Sequence, residues 1–100
     1  MTIFLLLKFV FIFLASAMVP SPVRALVMIR AISIPFEEVF NSLRKYPAVK
    51  QAWGVTGDID IILYVETRDT RELFDLVKKI REEPWCMSTK TSIILASYPE

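Results

Sequence analysis

The chain has 100 residues, of which 54% are hydrophobic and 23% charged, and its formal net charge at pH 7 is +1. This length permits one small domain, and the near-neutral charge provides no electrostatic attraction to a phosphate backbone. The chain has no histidine, one cysteine and two glycines, which excludes histidine-based catalysis, cysteine-rich metal sites and glycine-rich phosphate loops. The sequence therefore predicts a binding module with no cofactor and no metal, and not an enzyme.

The N-terminal segment differs from the rest of the chain. Residues 1–23 contain one charged residue, Lys8, whereas residues 24–100 contain eleven of each sign, and fifteen of the eighteen residues from 2 to 19 are apolar. Three interpretations stay open: a short membrane anchor, a secretory signal, or a translation start assigned too far upstream. We expect this segment, with a proline-rich linker at its end, to precede one globular domain over residues 24–100.

The first half of that domain contains a strand, a helix and a second strand. The first strand is predicted over residues 25–33, where β-forming residues are apolar on both faces. A helix follows over residues 36–46, because Pro35 precedes two glutamates in its first turn and Pro47 stops it. The half-polar strand over residues 49–55 is expected at an edge of the sheet.

The second half contains a strand, a helix and a last strand. Gly57 lies in the connecting turn, where we expect a positive φ, and a strand apolar on both faces follows over residues 59–66. Asp69 is the predicted N-cap of a helix over residues 70–82, and the last strand is predicted over residues 87–96. The apolar stripe of this second helix is predicted to consist of Leu73, Phe74, Val77 and Ile80.

The order βαββαβ has one common solution, the α+β ferredoxin-like fold with a four-stranded antiparallel sheet and both helices on one face. Two helices cover one face only, yet the strands over residues 25–33 and 59–66 are apolar on both. The uncovered face is larger than monomers usually expose. Either a second copy packs on it sheet to sheet, as a dimeric α+β barrel, or the N-terminal segment folds back over it. Self-association is favoured because two-fold dimers are the commonest oligomers.

Three motifs in this order resemble a known family. Residues 55–65, VTGDIDIILYV, resemble the V-T-G-D-(Y)-D hairpin of the amino-acid-sensing domain of Lrp/AsnC transcription regulators. Residues 47–49 are similar to that family's P-x-V, and residues 88–95 are similar to its closing strand S-T-x-T…I-V-L. The sequence departs from the family pattern at Ile59, where an aromatic residue is usual, and at residues 85–86, where Gly-Val is common.

The resemblance implies a sensor domain that stands alone. Residues 1–24 are too short and too apolar to supply the helix-turn-helix that precedes this domain in full-length regulators. We therefore expect a cytoplasmic protein without direct nucleic-acid binding, whose partners are itself and full-length regulators of the family. The family's sensor domains dimerise through their sheets, assemble into rings of four dimers, and bind an amino acid between dimers. Carried over residue by residue, the ligand-binding residues are Gly57, Asp58, Asp60, Thr89 and Thr91.

Other interpretations stay open beside this one. The Asp60 carboxylate could bind the ammonium group of an effector, accept hydrogen bonds from backbone N–H groups of the hairpin, or pair with Arg30. Turn and strand chemistry alone could account for the other four residues. A membrane-tethered interaction module without a ligand is the alternative function if residues 2–19 are retained. A small ferredoxin-like enzyme would have to rely on Asp60, Arg30 and Tyr64.

Overall fold

A computed structural model describes residues 22–99, so the predictions for residues 2–19 lie outside the described residues. Six elements follow one another in the predicted order. They are β1 (Val23–Ala31), α1 (Phe36–Leu43), β2 (Val49–Gly54), β3 (Ile61–Thr67), α2 (Thr70–Arg81) and β4 (Cys86–Ile93). All strand pairs are antiparallel and the sheet order is β2-β3-β1-β4, which confirms the ferredoxin-like fold and the edge position of β2.

The core lies between the sheet and the two helices. Alternate residues of the two central strands are buried, because successive side chains of a strand point to opposite faces. The core includes Ala25, Val27 and Ile29 of β1, Ile61, Leu63 and Val65 of β3, Val39 and Leu43 of α1, and Leu73, Leu76 and Ile80 of α2. Both helices therefore cover the same face, as predicted.

Two details of the helices differ from the prediction. Helix α1 ends at Leu43 and not at Tyr46, because Pro47 disfavours a helical backbone at the preceding residue. In α2, Phe74 is 64% exposed whereas Leu76 is buried. At about 100° per residue, Leu76 faces the sheet together with Leu73 and Ile80, which leaves Phe74 on the flank of the helix.

The start of α2 has the predicted cap. Asp69 Oδ1 accepts a hydrogen bond from the backbone N–H of Glu72 at 2.8 Å. The reciprocal half of the capping box is absent from the described residues, because the Glu72 carboxylate instead binds Arg68 Nε at 2.7 Å. None of the helices in residues 22–99 is long and apolar enough to cross a membrane.

The second face of the sheet carries no helix and is apolar at its centre. Leu26 of β1 lies opposite Tyr64 of β3, and Met28 lies opposite Ile62. Trp53 of β2, also opposite Ile62, is 41% exposed. These five residues form what we call the open face, and they confirm that the central strands are apolar on both sides.

Candidate functional site

Three predicted ligand-binding residues lie at one end of the sheet, where β1 and β2 end and β3 begins. The turn between β2 and β3 contains Gly57, whose φ of 113° confirms the predicted positive φ. Gly57 and Asp58 are both exposed in this turn. Only residues without a Cβ adopt such a φ without strain, so turn geometry by itself accounts for the glycine.

Asp60 connects the hairpin to the end of β1. It lies one residue before β3, not within the strand as predicted, and its side chain is half-buried. Its Oδ2 accepts a hydrogen bond from the backbone N–H of Ala31 at 2.8 Å, and its own N–H donates to Ile29 O at 2.9 Å. The carboxylate therefore caps a backbone N–H of β1, and not one of the hairpin. Asp60 and Arg30 form no ion pair in the described part of the chain.

Beside Asp60 lies a groove of about 270 Å³, which we call the Asp60 groove. It is bounded by the segment after β1, the first turn of α1 and the start of β3. Polar atoms make up the larger part of its exposed wall, and two of its apolar side chains, Ile32 and Phe36, are 45% and 47% exposed. The lining includes Ile32, Ser33, Ile34, Phe36, Val39 and Asp60. Such a wall offers a small molecule both hydrogen-bonding groups and apolar contact.

The position of Phe36 depends on Gly54 at the end of β2. A Cβ on Gly54 would lie 2.9 Å from Cε2 and Cζ of the Phe36 ring, closer than van der Waals contact allows. The ring also stacks on Phe40, with centroids 6.1 Å apart. The absence of a side chain at Gly54 therefore lets Phe36 lie against the sheet edge, where it forms one wall of the groove.

The two predicted threonines lie elsewhere. Thr89 and Thr91 of β4 are opposite Ile29 and Val27 of β1, so they lie on the helix-covered side and are half-buried. Strand β1 separates β4 from β3, which places the threonines about 10 Å away from β3, two strand spacings. Neither threonine lines the Asp60 groove. The structure thus brings Gly57, Asp58 and Asp60 to one end of the sheet without adding Thr89 and Thr91 to them.

Sequence reasoning missed the residues that form the groove. The strand predicted over residues 25–33 includes Ile32 and the helix predicted over residues 36–46 begins with Phe36, yet both side chains are about half exposed. Ser33 and Pro35 interrupt the apolar run in the sequence, and this interruption is the signal that Ile32 and Phe36 lie at the boundaries of regular structure. Whether the side chains of Ile32 and Phe36 point into the core or lie beside it depends on the tertiary position of α1.

A second concavity, of about 430 Å³, lies at the opposite end of the sheet and contains none of the predicted residues. Near it, Tyr46 Oη donates to Glu83 Oε1, and Lys45 Nζ lies 2.7 Å from the same oxygen. Burial alone would raise the pKa of Glu83, but the hydrogen bonds from Lys45 and Tyr46 outweigh it and hold this pKa below its usual value. Burial, followed by the bond to Glu83, raises the pKa of Tyr46. The network joins the end of α1 to the end of α2.

The described residues offer little for metal binding or nucleophilic chemistry. Residues 22–99 contain no group of three or more histidine, cysteine, aspartate or glutamate side chains arranged to hold a metal ion. Burial raises the pKa of the Cys86 thiol, which keeps it protonated and unreactive at neutral pH.

A family model described as the Lrp/AsnC ligand binding domain matches residues 24–100. The HTH-type transcriptional regulator FL11 of Pyrococcus horikoshii is 28% identical over 76 residues, which cover 76% of this chain and 50% of the regulator. Homocitrate synthase of Sulfurisphaera tokodaii is 32% identical over 77 residues, which cover 76% of this chain but only 17% of the enzyme. The chain thus spans about half the length of the first relative and a smaller part of the second.

Solved structures agree with the fold. The structure of FFRP-DM1 is 32% identical, has a TM-score of 0.68, and is matched over 73% of this chain and 99% of that one. The feast or famine regulatory protein of M. tuberculosis, complexed with L-methionine, is 26% identical with a TM-score of 0.67. That match covers 78% of this chain and 53% of the regulatory protein.

Proposed function

The chain belongs to the Lrp/AsnC ligand-binding domain family, and from this premise we propose that it is a non-enzymatic, cytoplasmic amino-acid sensor. In this proposal it binds a free amino acid, associates with copies of itself, and modulates transcription regulators of its own family. A related regulatory protein holds L-methionine, which supports an amino acid as the class of effector.

The observation that carries the proposal is the Asp60 carboxylate beside a groove that combines polar atoms with the half-exposed side chains of Ile32 and Phe36. One oxygen of this carboxylate is bonded to the Ala31 N–H, and an ionised carboxylate has about four acceptor positions. Neither ion pair in the described residues includes Asp60, so its carboxylate has no cationic partner within 4 Å there. The α-ammonium group of an amino acid matches this requirement as a charge-assisted hydrogen-bond donor.

The remaining predicted residues have separate roles in the proposal. The exposed turn with Gly57 and Asp58 directly precedes Asp60 in the chain, and in the proposal its backbone N–H groups bind the effector carboxylate. Thr89 and Thr91 are two strands away from β3, and neither lines the Asp60 groove. We therefore assign them to the contact made by a neighbouring copy, as expected for a ligand held between dimers.

The open face supplies the surface for self-association. Leu26, Met28, Ile62, Tyr64 and Trp53 present a continuous apolar centre on the side without helices. A second copy packed sheet to sheet would remove this surface from water, which is the main driving force of association. The groove lies on the helix-covered side, against Val39 and Ile61, so the proposed dimer leaves it accessible.

Regulation follows if the effector binds one assembly better than another. A ligand shifts an equilibrium by its differential affinity for the two states. An amino acid held partly by a neighbouring copy would stabilise the larger assembly, whether that contains only this chain or also a full-length regulator. Assembly into a ring of four dimers, as in the family, is part of this proposal.

The proposal is tested by a thermal-shift panel of the twenty amino acids, with the mass of the protein determined by light scattering in the same buffers. An effector at about 100 times its dissociation constant adds roughly 2.7 kcal/mol to the stability of the state that binds it. We expect a selective upward shift with a few amino acids, in a protein whose mass is at least that of a dimer. No shift with any amino acid would overturn the proposal.

The match to homocitrate synthase favours a second candidate function. Because the similarity covers 17% of that enzyme, a domain of this kind also occurs as part of a biosynthetic protein. The chain would then be an effector-binding module that acts on a partner enzyme. The two functions are distinguished by adding the chain and its effector to a full-length Lrp/AsnC regulator in a gel-shift assay, and to a homocitrate synthase in an activity assay.

A further inference from the structure

We propose that Trp85 is a positioning residue of the Asp60 groove. Trp85 does not line the groove, but it is hydrogen-bonded to both of its walls, helix α1 and the segment that follows β1. It thereby keeps the two walls at a fixed separation, which sets how tightly the groove binds an effector. This inference rests on the proposed function, because it concerns the same groove.

The backbone of Trp85 holds the segment after β1. Its carbonyl oxygen accepts a hydrogen bond from the backbone N–H of Ile32 at 2.9 Å. Trp85 directly precedes Cys86, the first residue of β4, which pairs with Ala31. The bond to Ile32 therefore continues the contact between β4 and β1 by one residue, beside the N–H of Ala31 that the Asp60 carboxylate caps.

The side chain of Trp85 holds α1. The indole Nε1–H donates to Ser42 Oγ at 2.8 Å, and the Ser42 hydroxyl donates to Val39 O at 2.7 Å. Val39 is buried and lines the groove, so this series of bonds ends on the wall itself. Trp85 is 5% exposed, and a buried indole N–H that loses its acceptor destabilises the fold. Movement of α1 away from Trp85 is therefore opposed.

Helix α1 depends on such contacts for its position. It has eight residues, and Pro35 at its N-cap makes no side-chain capping bond. Isolated helices of this length are unstable in water, so tertiary contacts must hold it. The chain beyond its last turn is bound to the α2–β4 connection through Tyr46 and Lys45, which both bind Glu83. Without the Trp85 bond, only this chain beyond α1 would still be bound to the connection.

The test begins with hydrogen exchange in variants of the full chain. Trp85→Phe removes the indole N–H but keeps an aromatic ring in the core, and Ser42→Ala removes its acceptor. Trp53→Phe, on the open face, is the matched control. We expect Trp85→Phe and Ser42→Ala to speed exchange at the amides of residues 40–43 roughly tenfold or more relative to the amides of β3. The amide of Ile32, whose acceptor is a backbone carbonyl, should keep its exchange rate, and Trp53→Phe should change none of these amides.

Effector binding is then measured by calorimetry with the amino acid that gives the largest thermal shift in the panel of twenty. We expect roughly tenfold weaker binding to Trp85→Phe and to Ser42→Ala, and unchanged binding to Trp53→Phe. Because the chain has two tryptophans, Trp85 is the only one left in Trp53→Phe. Binding to this variant should change its fluorescence emission, which a purely structural tryptophan would not show.

The outcomes separate this inference from the proposed function. Exchange that rises equally in α1 and β3 would reflect global destabilisation and would overturn the positioning role. Unchanged affinity in Trp85→Phe would overturn it as well, and in both cases binding to the unmodified chain leaves the sensor function standing. If none of the twenty amino acids binds, the proposed function fails, and the exchange rates alone decide whether Trp85 holds α1.

Discussion

The carboxylate of Asp60 and the backbone N–H of Ala31 are joined by a 2.8 Å hydrogen bond between the hairpin and the end of β1. The bond lies where the pairing of β1 with β4 changes register, between Arg30 and Ala31. One side chain therefore fixes an irregular strand end and also supplies the only acidic group of the Asp60 groove. Any ligand that binds Asp60 acts directly on the geometry of this strand end.

Two substitutions separate these roles of Asp60. In Asp60→Asn the amide oxygen still accepts the hydrogen bond from Ala31, so we expect a change in the free energy of unfolding below about 0.5 kcal/mol, as for a substitution that breaks no structural feature. In Asp60→Ala the half-buried Ala31 N–H loses its partner, which should cost about 1–3 kcal/mol. Urea denaturation of both variants measures the difference. Equal stability of the two variants would contradict the structural role.

A charged substitution tests the role of the open face in self-association. Leu26→Glu places a carboxylate at the centre of the proposed dimer contact, opposite Tyr64 and Ser92, where burial between two apolar sheet faces penalises its charge. We expect the dimer to dissociate to monomers, observed as a halved mass by analytical ultracentrifugation. Leu95→Glu, at an exposed position in the C-terminal segment, is the control and should leave the mass unchanged. A dimer that survives Leu26→Glu would rule out association through this face.

Gly54→Ala tests the packing of Phe36. The new Cβ would lie 2.9 Å from the ring, but the ring is 47% exposed and can move outward. We therefore expect a modest loss of stability, about 1–3 kcal/mol by chemical denaturation. In Phe36→Ala this clash is absent, so adding Gly54→Ala to it should cost less than in the unmodified protein. Additive costs in this double-mutant cycle would show that the two residues are not coupled.

The pKa of Glu83 predicts a dependence of stability on pH. The folded protein holds this pKa below its usual value, so the ionised Glu83 carboxylate stabilises the fold. This stabilisation is fully present above the unfolded pKa of about 4.3 and is lost as the pH falls through the lower pKa of the folded state. Glu83→Gln should therefore be less stable than the unmodified protein at pH 7, with the gap closing below about pH 4. Thermal unfolding of both proteins at several pH values measures this difference in stability. Glu82→Gln, at an exposed neighbouring residue, should show no such change, and a gap that does not narrow as the pH falls would contradict the assignment.

The sequence predicted the fold well because its signals are local. Hydrophobic periodicity, the Asp69 cap and the Gly57 turn each specify an element within a few residues, and the order of elements leaves one common topology. The Asp60 groove could not be predicted in this way. It depends on how α1 packs against the sheet, which includes the contact between Phe36 and Gly54, eighteen residues apart in the chain.

The role of Asp60 shows the same limit. The sequence left three partners open for the Asp60 carboxylate, and the structure adds one that is not among them, the N–H of Ala31, because strand pairing brings residues 60 and 31 together. Thr89 and Thr91 were grouped with Asp60 by resemblance to the family. Only the sheet order β2-β3-β1-β4 shows that another strand separates them. Contacts between distant segments are thus the part that sequence patterns do not contain.

The most direct measurement of the central claim is an NMR titration of the ¹⁵N-labelled full chain with L-methionine. The account predicts saturable shifts of the backbone amides at Ala31, Ile32, Ser33 and Asp60, with shifts near Thr89 only in the oligomeric protein. Asp60→Asn should abolish them. Shifts confined to the opposite end of the sheet, around Lys45 and Glu83, or no shifts at saturating amino acid, would contradict the account.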